Sequence, residues 1–312
     1  VTVNRSHALL LPLALGLATR AAVAQAKDKV RVAFPTLDPT AEVAYGIDQG
    51  FFERAGFAIE PIPLTNGAAI AAGIASGAID IGIGNVLTIE SAYKRGIPLT
   101  IIAPGAASAN DAPSNVVLVR KDSPLKTAAD LNGKVIGVSP LHGIGDIATN
   151  AWIDKNGGDA STVKYIEIPF PQSEAALVQN RADAAFCSEP FITQARATTR
   201  VLANTFSALG EGFLVTAFFA AAPWAQANAG LVARFAAVIR QVGEWANTHA
   251  DASADILAKY AKLDPAIVKA SVRSRFATTL TPAQLQPTID ASAKYKLLDA
   301  AFRAQDLIFQ PK

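Results

Sequence analysis

Cysteine and histidine are scarce in this chain: one cysteine, Cys187, and three histidines, His7, His142 and His249, among 312 residues. A lone cysteine excludes an intramolecular disulfide, and its place at the end of the apolar run Ala184-Ala185-Phe186-Cys187 reads as a buried structural thiol. No cluster of His, Cys and Asp has ligand spacing, so no metal site is expected. Basic blocks are missing too. Lys and Arg number 28 against 26 Asp and Glu, a net charge of +2 spread along the chain, which leaves nucleic acid and anionic membranes without an electrostatic footprint. Long apolar runs are also lacking beyond the N-terminal region: "FLVTAFFAAAPWA", from Phe213, is interrupted by Pro223 after a strand's length.

What is present begins with a three-part leader. Arg5 and His7 precede an apolar run, Ala8 to Ala18, too short to span a bilayer as a helix, and Ala24-Gln25-Ala26 follows as a small-x-small cleavage site. Residues 1–26 are therefore expected to be a secretory signal peptide, with a mature N-terminus at Lys27 and a periplasmic location. The rest of the chain is long enough for one large or two medium domains.

Two segments share one plan. "KVRVAFPTLDPT", from Lys29, and "KVIGVSPLHGIGD", from Lys134, each open a series of strand, loop, helix, glycine-containing turn, strand ending in I-P-[LF], short helix and strand. Asp80 lies 51 residues after Lys29, and Asp183 lies 49 after Lys134. Two β-α-β-α-β units of one design predict two doubly wound α/β lobes. The stretches "NVVLVRK" and "FLVTAFFA" read as strands that cross between them. The predicted division is 27–121 and 213–312 for the first lobe, including the C-terminal helices, and 122–212 for the second. In such sheets ligands sit where strands end and helices begin, among unpaired N–H groups. The loops brought there are 36–40, 64–67, 84–88, 139–146, 169–173 and 188–191.

One of these loops, Gly143-Ile144-Gly145-Asp146-Ile147-Ala148, fits the G-x-G-x-x-[GA] cradle of dinucleotide enzymes. The fit is superficial. Ser139-Pro140-Leu141-His142 separate the strand from the first glycine, and the matching loop of the first repeat, "PTLDPT", has no glycine. No cofactor is expected.

The leader together with "GFFERAGFAIE", "ASGAIDIGIGN", "DLNGKVIGV", "SEPF" and the helical tail resembles periplasmic solute-binding proteins of ABC importers. The branch is the nitrate/sulfonate/taurine group, which includes binders of thiamine pyrimidine precursors. The resemblance implies a two-lobed type II periplasmic-binding architecture, two doubly wound sheets joined by two crossing strands. It implies a non-catalytic monomer that closes on a small organic solute, sulfonate-, taurine- or pyrimidine-like, and docks on the transmembrane subunits of a permease. The alternative is an exported pyrimidine- or thiamine-related enzyme or a sensor on the same fold.

Candidate ligand contacts follow from position in the repeat. From the first lobe they are Thr36, Leu37, Asp38, Asn66 and Asn85. From the second they are Ser139, His142, Gly143, Phe170, Glu189 and Phe191. His142 sits in a loop longer than its connection requires, and Glu189 matches the acidic or polar position of the family's E-P-[FWY] element. Phe170, Phe191, Phe218, Phe219 and Trp224 are candidates to wall the pocket. None of the six loops contains Arg or Lys, so an inorganic anion lacks its strongest partner, whereas a ligand with an N–H donor gives Glu189 one. For catalysis only a Cys187–His142 pair is conceivable, and it has no clear third member.

Overall fold

A computed structural model describes residues 1–2, 27–64 and 67–311. Residues 3–26 of the expected signal peptide, and Asn66, therefore lie outside the described residues. Five strands form a first sheet in the order β2-β1-β3-β11-β4: β1 (Asp28–Phe34), β2 (Phe57–Pro63), β3 (Ile81–Asn85), β4 (Leu99–Pro104) and β11 (Thr216–Ala221). Five more form a second sheet in the order β8-β7-β9-β6-β10: β6 (Asn115–Arg120), β7 (Val135–Val138), β8 (Lys164–Glu167), β9 (Ala184–Ser188) and β10 (Thr199–Ala203). Two short strands, β5 (Ala106–Ala107) and β12 (Arg275–Phe276), pair antiparallel beside them.

The two sheets are built alike. In each, three strands run parallel (β2-β1-β3 and β8-β7-β9), and the next strand inward, β11 or β6, is antiparallel to both of its neighbours. The spaced aspartates explain part of the likeness. Asp80 donates its backbone N–H to the Arg31 carbonyl (3.1 Å) and accepts the Arg31 N–H on Oδ2 (2.8 Å). Asp183 does the same with Val135, at 2.8 and 2.9 Å. Each carboxylate closes the unpaired N–H at the start of a parallel ladder, which fixes the register of the third strand against the first.

The helices are α1 (Glu42–Asp48), α2 (Phe51–Arg54), α3 (Gly67–Ala75) and α4 (Val86–Lys94) around the first sheet, and α5 (Ile144–Lys155), α6 (Ser173–Val178) and α7 (Phe191–Gln194) around the second. The C-terminal set is α8 (Ala222–Ala227), α9 (Ala229–Thr248), α10 (Ala250–Ala261), α11 (Pro265–Ala270) and α12 (Pro282–Lys294). Helix α9 buries Val232, Phe235, Val238, Ile239 and Val242 along one stripe, as an amphipathic helix must. Its Phe235 ring lies 5.6 Å from Phe52 and 5.5 Å from Phe218, centroid to centroid, on the outer face of the first sheet. Each ring fully buried there contributes about 1.5–3 kcal/mol. Helix α12 packs against both α4 and α5, and the Tyr295 hydroxyl donates to Asp154 Oδ2 (3.0 Å).

One boundary differs from expectation. Residues 115–120, counted with the first lobe, form β6 of the second sheet, and the chain passes between the sheets at 105–114 and 204–215. The physical reason is the antiparallel slot. Beside β9 the second sheet requires the strand that β11 supplies beside β3 in the first, and β6 fills it.

Candidate functional site

A cleft of about 690 Å³ lies at the edge where β1, β3, β7 and β9 end and where the antiparallel β6 and β11 begin. From the first-sheet side it is lined by Pro35, Thr36, Leu37, Pro39 and Thr40 after β1, by Gly67, by Gly84 and Asn85, and by Thr88 of α4. Val215 and Thr216 lead into β11 there. The second-sheet side supplies Asn115, Ser139, Pro140, Ile144, the Pro169-Phe170-Pro171 turn, Phe186, Ser188, Phe191 and Gln194. Ala261 at the end of α10 and Leu263 in the loop after it complete the rim, and Lys262 between them is exposed and does not line it.

Of the residues singled out in the sequence, Thr36, Leu37, Asn85, Ser139, Phe170 and Phe191 come together on this cleft. Asn85 does two things. Its Oδ1 accepts the Leu87 N–H (2.9 Å) as the N-cap of α4, while the residue lines the cleft. Asn66 lies outside the described residues.

Four candidates are absent from the lining. Asp38 is buried behind it, where Oδ1 accepts from Arg273 Nε (2.8 Å) and Oδ2 from the Ser274 N–H (2.5 Å). Arg273 also donates to the Tyr45 hydroxyl (2.5 Å). Glu189, expected to face the ligand, is buried and fully engaged: Oε2 accepts the Thr193 N–H (2.9 Å), and Oε1 accepts from Thr193 Oγ1 (3.0 Å) and the Val272 N–H (3.3 Å). Burial raises its pKa against the pull of those donors. It serves the start of α7 and holds the C-terminal segment.

His142 is exposed and adopts a left-handed backbone, φ 58°, that directs its N–H to Asp146 Oδ2 (2.8 Å). Gly143 is buried, and a Cβ there would meet the Pro140 carbonyl oxygen at 2.8 Å. The glycine permits a tight turn in front of α5 and is not among the lining residues. Asp146, in the first turn of α5, has its pKa raised to about 6, chiefly by burial, and its Oδ1 has no partner among the described residues.

Phe186 is the aromatic that sequence reasoning missed. The signal was the period of two in β9: Phe186 and Ser188 face the cleft, while Cys187 packs into the core cluster of Val116, Leu118 and Ile168 on the other face. Phe218 and Phe219, proposed as walls, are core residues, and neither they nor Trp224 line the cleft. Thr40 and Thr88 close two of the predicted loops, 36–40 and 84–88, without being singled out there, and Asn115, Gln194 and Thr216 lie outside all six. Thr88 carries a usable signal, since it sits one helical turn after the Asn85 cap.

The chemistry available is plain. Among the described residues that line the cleft there is no Asp, Glu, Lys, Arg or His side chain. The Cys187 thiol is buried and its pKa is pushed up to about 12, chiefly by that burial, so it is held protonated. Among the described residues no group of three or more His, Cys, Asp or Glu side chains is placed to hold a metal ion, and no helix is long and apolar enough to cross a membrane.

Comparison with known proteins follows the same lines. The NMT1/THI5-like family profile matches residues 40–253. No curated protein matches the sequence. Among solved structures, the periplasmic aliphatic sulphonate binding protein SsuA of Escherichia coli superposes with a TM-score of 0.76 at 18% identity, covering 91% of this chain and 98% of that one. The periplasmic nitrate-binding protein NrtA of Synechocystis PCC 6803 gives 0.75 at 14% identity, with 90% and 84% covered. The desulfurization enzyme DSZB gives 0.67 at 16% identity, with 92% and 97% covered. At these identities the likeness establishes the fold: two lobes of the type II periplasmic-binding architecture.

Proposed function

The chain belongs to the NMT1/THI5-like family, and from that premise we propose that it is the extracytoplasmic solute-binding component of an ABC importer. It captures a small organic solute between its lobes and delivers it to the permease. The observation that carries this is the cleft itself, about 690 Å³, lined from both sheets at the edge where their strands end, with no thiol, imidazole, amine or carboxylate among the described lining residues to activate its hydroxyls. In this reading one lobe is built on the first sheet with helices α8–α11, the other on the second sheet. Residues 105–114 and 204–215 form the hinge, and a solute touching both sides favours closure because it binds the closed state better.

Export rests on the leader in residues 1–26, and the mature protein starts at Lys27. The enzymatic alternative has a fold neighbour in its favour but lacks machinery, since the one thiol is buried on the far face of β9 and His142 does not line the cleft. Native mass spectrometry of protein purified without refolding, with small-angle scattering before and after ligand removal, tests the proposal. A retained small molecule, released intact and accompanied by a more compact particle, is the expected result. Conversion of the released molecule to a product would favour the enzyme.

A further inference from the structure

We infer that the cleft selects an uncharged, ring-bearing solute and rejects anions; this rests on the solute-binding reading above and adds the ligand's class to it. The first observation is the lining, which offers neither a cation nor a carboxylate to a charged ligand. An ion moved from water into such a site loses hydration without gaining a charged partner.

The second observation concerns the helix starts, the usual substitute for a cation. Three of those at the cleft, the starts of α4, α5 and α7, carry a compensating group of their own. Asn85 Oδ1 holds the Leu87 N–H of α4, Asp146 stands in the first turn of α5, and Glu189 Oε2 holds the Thr193 N–H at α7. An anion would find these dipoles already answered, two of them by a carboxylate.

The third observation is what lies behind the wall. Asp38, Asp146 and Glu189 are buried there, and the cationic partner of Asp38, Arg273, is shared between that carboxylate and the Tyr45 hydroxyl. The Asp38–Arg273 pair carries no net charge, but Asp146 and Glu189 have no ion-pair partner among the described residues, and their carboxylates oppose a second negative charge. A cation gains little in return, because no carboxylate oxygen lines the cleft. An uncharged solute meets none of these costs.

Its other features follow from what is left. Phe170, Phe186 and Phe191 present ring surfaces from one side. Thr36, Thr88 and Ser139 line the cleft with hydroxyls that have no hydrogen-bond partner among the described residues, ready for the polar atoms of a ligand such as a carboxamide or ring nitrogen. The volume matches an organic molecule rather than a triatomic ion.

The test uses matched probes. One set of six-membered and fused aromatic rings is prepared in three series, as carboxamides, carboxylates and aminomethyl cations. Binding to the full mature protein is read at pH 7.5 by ligand-observed NMR and titration calorimetry. The expected result is saturable binding in the carboxamide series, with each matching carboxylate at least tenfold weaker. Phe191→Ala should weaken the same carboxamides at least fivefold at a temperature where circular dichroism shows the variant fully folded. Carboxylates or aminomethyl compounds that bind as well as the carboxamides overturn the charge inference and leave the solute-binding reading standing. Saturable binding in none of the series overturns both.

Discussion

Asp38 and Glu189, one from each side of the cleft, hold neighbouring residues of a single C-terminal segment. Asp38 takes the Arg273 guanidinium and the Ser274 N–H, and Glu189 takes the Val272 N–H. Residues 272–274 are thereby tied to both lobes through two buried carboxylates. Glu189→Ala leaves two N–H groups and a hydroxyl without their acceptor, so a loss of about 1–3 kcal/mol in unliganded stability is expected. Urea denaturation of the ligand-free protein measures it. A ligand-contacting glutamate would behave in the opposite way, weakening binding while leaving the empty protein as stable as before.

The Arg273 end of the same tie predicts a larger effect. Arg273→Leu strands Asp38, whose side chain is only 2% exposed, without its counter-charge. Breaking a buried pair in this way costs about 3–5 kcal/mol. Asp38→Asn in the Arg273→Leu background should recover part of the loss, because the uncompensated charge is then gone. A double-mutant cycle in urea decides it, and strictly additive losses would deny the pairing.

Much of this architecture was legible in the sequence because repeated units leave repeated spacings. The Asp80 and Asp183 positions were visible as markers, and they turn out to close equivalent ladders. The strand β10, Thr199–Ala203, was not legible: it is short, and its middle residues Arg200, Val201 and Leu202 are only partly covered or exposed, so it has no apolar run to announce it. Without β10 there was no visible slot for β6 in the second sheet.

The site was legible in its loops and less so in its side chains. Position in the repeat places a residue at the cleft edge but not its side chain's direction. Asp38 is a candidate contact only by its loop's place in the repeat, and Glu189 by that and by its match to the family's E-P-[FWY] element. Their partners at 272–274 lie some 235 and 83 residues further along the chain, beyond any local pattern.

Cys187 supplies a direct chemical test. A thiol held protonated in a packed core reacts slowly with any thiolate-seeking reagent. Native protein at pH 8 should resist a disulfide-exchange chromophore for hours, and the same sample in guanidinium should release one equivalent promptly. Fast stoichiometric labelling of the folded protein would place the thiol on an accessible surface and revive the enzymatic alternative.

Glu90 predicts how stability depends on pH. Its carboxyl is buried between α4 and α12, where Thr288 Oγ1 lies 2.7 Å from Glu90 Oε1 and 2.8 Å from the Leu285 carbonyl oxygen. A hydroxyl has a single proton, so both contacts are made at once only when Glu90 is protonated and donates to Thr288. Consistent with this, burial raises the Glu90 pKa to about 8. The folded state therefore holds a proton that the unfolded chain releases near the usual glutamate value. Between those two pKa values the native state binds more protons than the unfolded state, so stability falls as pH rises, by up to about 1.4 kcal/mol per unit from this one group. Glu42, buried with neither oxygen partnered among the described residues, adds a slope of the same sign. For that reason the informative quantity is the difference between wild type and Glu90→Gln, whose amide donates to Thr288 without titrating. The two proteins should be similarly stable at pH 5, and the variant should gain steadily through pH 6.5 to pH 8 in urea denaturation. Parallel curves across that range would mean that Glu90 is ionised in the fold and that Thr288 gives its proton to the carboxylate.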